Sequence, residues 1–243
     1  MNARRFVLCA LALGLGLGLA RAAEAQMSMP MATPAAAPTP APAANPAESS
    51  LLAKIMRDLP QRYPNPAAAV KAGYVRFTNE DETGAISYAN AAAWNTTDPD
   101  VPAQLWYDVN GRLIGADFSV RRDAAATPAP KPARPSILGM QPTRDIAPGA
   151  HVHYILCDAA KKCTYGKAVS AKNYATVGDV EHPTADGLVK LGVVKDPALV
   201  SSVFLYPAIY DVPVWVVPNP LGQFADKNPA VTPSPRAGKG EDM

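Results

Sequence analysis

Histidine and cysteine are scarce in this chain, three of each in 243 residues, and the scarcity excludes whole classes of chemistry. So few histidines leave little room for a Ser-His-Asp triad. No G-x-S-x-G elbow, S-x-x-K pair, Walker loop or H-E-x-x-H stands anywhere in the sequence. The acidic run NEDETG at 79–84 lacks the alternating oxygen ligands and the later glutamate of a calcium loop, so it reads as a solvated turn. No catalytic residue is assigned, and the chain does not read as an enzyme. A strong net charge is missing as well. Removing Arg4, Arg5, Arg21 and Glu24 with the first 25 residues takes 23 basic and 21 acidic residues to 20 of each. A neutral chain without a Lys/Arg stripe lacks the electrostatic footprint of a nucleic-acid binder, and no basic amphipathic helix marks a membrane surface.

What is present begins with a leader. Two arginines precede an apolar stretch from Phe6 to Ala20, and small residues close it at Ala23-Glu24-Ala25. That order predicts a signal peptide over 1–25, cleaved before Gln26, because the stretch is shorter than the roughly 20 residues a spanning helix needs. Arg4-Arg5 fits an ordinary basic leader as well as a partial twin-arginine signal. Cys9 leaves with the leader. The expected destination is the bacterial periplasm or the medium, without stable membrane insertion after cleavage.

Residues 26–48 are almost all Ala, Pro, Met and Thr and are expected to form a disordered tether. A similar Pro/Ala-rich segment at 124–135 reads as a loop inside a single domain spanning 49–227, with a disordered tail at 228–243. SSLLAKIMRDLP at 49–60 places Leu51, Leu52, Ile55, Met56 and Leu59 on one helical face, capped by Ser49 or Ser50 and stopped at Pro60. A second short helix is expected after Thr184. QLWYDVNGRLIGADFSV at 104–120 predicts a hairpin about a type I′ turn at Asn110-Gly111. Its apolar face would carry Leu105, Tyr107, Val109, Ile114, Ala116 and Phe118. The water face would carry Gln104, Asp108 and Asp117, with Trp106 anomalously among them. The run at 201–220, broken by Pro207 and Pro213, reads as short strands covered on both sides. The expected class is α+β, a mainly antiparallel sheet built from hairpins with a few short helices; a β-sandwich or a small barrel is the alternative.

The densest chemistry lies in HVHYILCDAAKKC, residues 151–163. In an exported chain the remaining cysteines form an even pair, so Cys157 and Cys163 are expected to close a hairpin tip as a disulfide. That register would set Ile155 opposite Tyr165, His153 opposite Lys167 and His151 opposite Val169. The histidines would stand on the more polar side, and Val152, Tyr154 and Leu156 on the core side. His-x-His on a strand aims both imidazoles one way, as metal sites on sheets require, and His182 is the one other histidine. Met27, Met29 and Met31 offer thioethers suited to Cu(I). Trp106 and Trp94, with Trp215, are candidate ligand-surface aromatics.

PGAHVHYILCD resembles the first metal motif of cupins, which implies a metal-dependent enzyme on a closed barrel; Asp158 replaces the motif's glutamate, and no second motif follows. The segments 94–120 and 215–231 resemble stretches of uncharacterised secreted bacterial proteins, which implies export and a compact domain and brings no activity. The first reading is therefore an exported, non-catalytic binding or structural module of unknown ligand and partner. It expects no cofactor and no pocket of converging ionisable groups. The alternatives are a periplasmic copper or zinc protein using His151 and His153 with His182 or the methionines, and a cupin-like enzyme.

Overall fold

The computed structural model describes residues 46–96, 98–122, 136–146 and 149–238. The leader, Met27, Met29, Met31 and the segment 124–135 fall outside them. The first helix, α1, spans Pro46–Arg62 and buries Ile55 and Leu59. It starts earlier than expected because Pro46 suits a first turn, where no backbone N–H is needed. Ser50 lies inside the helix and donates its hydroxyl to the Pro46 carbonyl at 2.9 Å instead of capping. Pro60 is absorbed near the end rather than stopping the helix, and 46–48 belongs to α1, not to the tether. Asn65 caps α2, Pro66–Lys71, by accepting from the Ala68 N–H at 3.0 Å.

The strands that follow are β1 Val75–Arg76, β2 Ile86–Ala89, β3 Gln104–Tyr107, β4 Leu113–Arg121, β5 Arg144–Ile146, β6 His151–Cys157, β7 Cys163–Tyr165 and β8 Val169–Ser170. Then come α3 Ala171–Tyr174, α4 Ala185–Lys190, β9 Val200–Tyr206 and β10 Ile209–Trp215. Thr184 caps α4 through the Gly187 N–H, as its sequence predicts. The fold is α+β. One antiparallel sheet runs β1-β2-β3-β4-β10-β5; in the other, β6 pairs β9 on one side and β7 and β8 on the other. Neither sheet closes on itself, so the barrel alternative is set aside, and with it the closed form that the cupin resemblance implied.

The layers follow from side-chain alternation. Leu105, Tyr107, Ala116, Phe118, Val212 and Val214 cover one face of the large sheet and pack with Ile55 and Leu59 of α1. Val152 and Tyr154 of β6 pack with Tyr174 and Leu188 of α3 and α4. Between the sheets lie Phe77, Trp94, Phe204, Tyr206 and Ile209. Pro213 is tolerated because of where its nitrogen points. The neighbouring Val216 N–H bonds to Ile114 of β4 and the Trp215 N–H to Gln223 on the other side. Pro213 therefore faces away from β4, beyond the end of β5, which pairs only Ile209 to Asp211.

The β3–β4 hairpin forms, with a different turn. Gly111 has φ +76 while Asn110 keeps negative φ, and the Gly111 N–H bonds to the Asp108 carbonyl at 2.9 Å. This is a three-residue loop ending in a left-handed glycine rather than a type I′ pair. Leu113 pairs Tyr107 while Gly115 pairs Trp106, so Ile114 is the extra residue of a bulge. It leaves the expected face and joins Trp106 and Trp215, and Val109 is exposed. Residues 228–238, expected as a disordered tail, pack on the domain instead. Val231 lies against the Trp106 and Trp215 cluster, and Glu80 accepts from the Ser234 N–H at 2.7 Å.

Cys157 and Cys163 face each other across β6 and β7 and are joined. Ile155 pairs Tyr165 as expected. Beyond Tyr165 the register slips by one: His151 pairs Ser170 and Val152 pairs Val169. Lys167 is thus not the partner of His153, whose strand neighbour is Phe204 of β9. Replacing both cysteines by serine should lower the unfolding free energy by roughly 2 kcal/mol, the loop-closure entropy of so short a ring. Urea titration of the oxidised protein and the double variant measures this, and equal midpoints would contradict it.

Candidate functional site

The large sheet's face toward the second layer is not a water face. Gln104 of β3 pairs Asp117 of β4; Ser119 of β4 pairs Asp211 of β10, which in turn pairs Arg144 of β5. Cross-strand partners share a face, so these side chains converge between the layers. Arg144 donates through Nε and Nη2 to the two oxygens of Asp211, at 3.1 and 2.9 Å, and Nη2 also reaches Asp117. Asp117 and Asp211 are buried, and the guanidinium lies 5.5 Å from the Trp106 ring centroid. Gln104 donates to the Tyr206 hydroxyl at 2.9 Å.

Gln104, Asp117, Arg144, Tyr206 and Asp211 line an open cleft of about 130 Å³. Phe77, Trp106, Tyr206 and Trp215 supply aromatic walls, and Asp81 and Asp226 add carboxylates. Gly115 permits the arrangement: a Cβ there would stand 2.4 Å from the Trp106 ring, so only glycine lets the indole lie across β4. Burial pushes the Asp117 carboxyl up to about 8, opposed by Arg144 and reinforced by the charge of Asp211. Burial raises Asp211 too, again against Arg144. Two carboxylates sharing one guanidinium therefore retain a proton at neutral pH.

The histidine pair adjoins this cleft through Tyr206. The two Nε2 atoms are 2.9 Å apart, so one ring donates to the other, and His151 Nδ1 lies 3.1 Å from the Gly149 carbonyl oxygen. His151 stacks on Tyr206 at 5.0 Å, and His153 is buried against Phe77 and Phe204. The side expected to be polar is thus an inter-sheet surface, flanked by Phe204 and Tyr206 of the neighbouring β9 and covered by Phe77, which follows β1 of the large sheet. Burial, with repulsion from His151, lowers His153 to about 3.

These two shifts carry opposite signs for stability. His153 binds its proton in the unfolded chain from about pH 6.5 downward but not in the fold, so it withdraws stability as pH falls below that value. Asp117 keeps its proton in the fold above the unfolded value of about 4, so it withdraws stability as pH rises from there to about 8. Between about pH 4 and 6.5 the two cancel, and what remains is the smaller loss just above pH 4 from the raised Asp211. The expected profile is a plateau there, with a fall of about 1 kcal/mol per pH unit toward pH 8. Chemical denaturation across pH measures it; His153→Phe should convert the plateau into a slope that falls steadily from about pH 4.

Of the other candidate residues, His182 bonds Asp179 at 2.9 Å on an exposed turn, and Glu181 pairs Arg121. Among the described residues no three His, Cys, Asp or Glu side chains group as a metal site. Trp106 lines the cleft; Trp94 is buried and packs against Tyr206 at 4.9 Å. Asp211, Arg144 and Asp226 are not singled out by the sequence as site residues, whereas Trp215 is, with Trp94 and Trp106, an aromatic that the sequence offers for a ligand surface. The one available signal for those three is a lone acid, Asp211, within an apolar strand. No family model, no curated protein and no solved structure matches this chain.

Proposed function

We propose that this chain is an exported binding module whose ligand enters the cleft floored by Asp117, Arg144 and Asp211. The observation that supports the reading is the cost of that floor. Two buried carboxylates about one guanidinium stabilise a fold less than apolar side chains of the same volume would, so their presence beneath an open cleft is accounted for by an occupant. The sequence leads to the expectation of no pocket of converging ionisable groups in a binding or structural module; the cleft departs from that expectation and supports the binding reading over the structural one. The leader and the disulfide support export to an oxidising compartment. Among the described residues no helix is long and apolar enough to cross a membrane.

The test is a ligand panel of sugars, amino acids, carboxylates and amines, followed by the indole N–H resonances of Trp106 and Trp215. Ligand at a hundred times its Kd raises the unfolding free energy by about 2.7 kcal/mol. A panel that leaves both indoles unmoved, or moves only distant resonances, defeats the proposal. Export is checked by the mature terminus in periplasmic or secreted material, expected at Gln26.

A further inference from the structure

The cleft is short of positive charge. Among the described residues it is lined by Asp81, Asp117, Asp211 and Asp226 against the single cation Arg144. Asp81 is satisfied locally, accepting from the Thr83 N–H at 2.8 Å and the Ala85 N–H at 3.1 Å. Arg144 is shared by Asp117 and Asp211. Asp226 forms no ion pair among the described residues, and its charge bears on Asp211. A second feature points the same way. Ser119 stands directly across from Asp211 and two residues from Asp117, hence on the same face; it is 0% exposed, and its hydroxyl has no hydrogen-bond partner. A buried hydroxyl able to donate as well as accept, unpaired beside two carboxyls and behind the cleft lining, leaves this face with unmet hydrogen-bonding capacity.

Resting on the reading that this cleft is the ligand site, we propose that it receives a small organic cation, an ammonium or guanidinium group on a short alkyl chain. An anion would meet three charged carboxylates and one guanidinium already shared. A neutral polyol would leave the charge deficit standing. A hard metal ion would find no grouping of three carboxylate or histidine ligands among the described residues and no use for the aromatic walls. An organic cation uses both features at once: its N–H groups donate to the carboxylates, and its charge lies against indole and phenyl faces. Trp106 already serves the Arg144 guanidinium in this way at 5.5 Å. The volume of about 130 Å³ holds the charged head and a few methylenes, and the remaining chain leaves through the open mouth.

The test uses the mature chain with agmatine and n-butylammonium as probes, and pentanamide, butyrate and glucose as uncharged, anionic and polyol controls. Calorimetry gives the affinities, and the Trp106 and Trp215 indole resonances give the location. The expected result is binding of the two cations at the indoles, with the controls at least about tenfold weaker, and an about tenfold loss in Asp226→Asn, whose shape is unchanged. Circular dichroism of that variant establishes that it is folded. Controls that bind at the indoles as tightly as the cations, or cations indifferent to Asp226→Asn, overturn the charge selection while leaving the cleft as a binding site. Indoles that respond to no probe of any class overturn the cleft reading itself.

Discussion

Arg144→Met unfolds about 3–5 kcal/mol more easily than the parent at pH 8, the range for removing one partner of a buried charge group. The side chain it removes satisfies both oxygens of Asp211 and one of Asp117, both buried, and methionine fills much of the same volume without a donor. Deprived of it, both carboxyls rise further, because the largest opposing influence on each has gone, and Asp117 keeps only its hydrogen bond from Trp106 against burial. The sign of the pH dependence follows. Below the unfolded carboxylate value of about 4, both acids are protonated in either state and the penalty is smallest; it grows as pH rises through the folded values. Chemical denaturation at pH 4.5 and pH 8 is the measurement. A loss equal at both pH values would show that packing, not charge, sets the effect.

Gly115→Ala removes up to about 3 kcal/mol of stability, the upper range for forcing a side chain out of a filled position. The new methyl would stand 2.4 Å from one Trp106 ring atom and 3.1 Å from the Val214 carbonyl oxygen. The backbone oxygen cannot retreat without disturbing the β4–β10 ladder, so the indole must tilt. Tilting carries it away from Trp215, now 5.3 Å distant between ring centroids, and from the Arg144 guanidinium. The near-ultraviolet circular dichroism of the coupled tryptophans should weaken together with the melting temperature. An unchanged spectrum and an unchanged melting temperature would show that the indole does not need the glycine.

The local elements were legible because their causes are local. The amphipathic stripe of α1, the Asn110-Gly111 hairpin, the Thr184 cap and the Cys157–Cys163 tie all depend on neighbours in sequence. The sequence misleads where a distant segment covers a face. Gln104 and Asp117 alternate correctly with Leu105 and Ala116, but nothing within the hairpin reveals a second layer above them; Trp106 on that face was the one sign. His153 shares a strand side with Ile155, yet its environment is made by Phe77 and Phe204, which hairpin reasoning does not reach. Arg144 gives no signal at all. Its strand is three residues long, and its partners lie 27 and 67 positions away.

The distance in sequence between those three charges constrains how β10 can be threaded. A slip of one position would turn Asp211 toward Ile55 and Leu59 beneath α1 and bring Val212 to Arg144, stranding a carboxylate in oil and a guanidinium without its counter-ion. β10 is apolar on both sides for most of its length, so hydrophobicity alone would distinguish poorly between the two alignments. The single acid among its valines supplies the asymmetry, and it marks one threading of the sheet as correct.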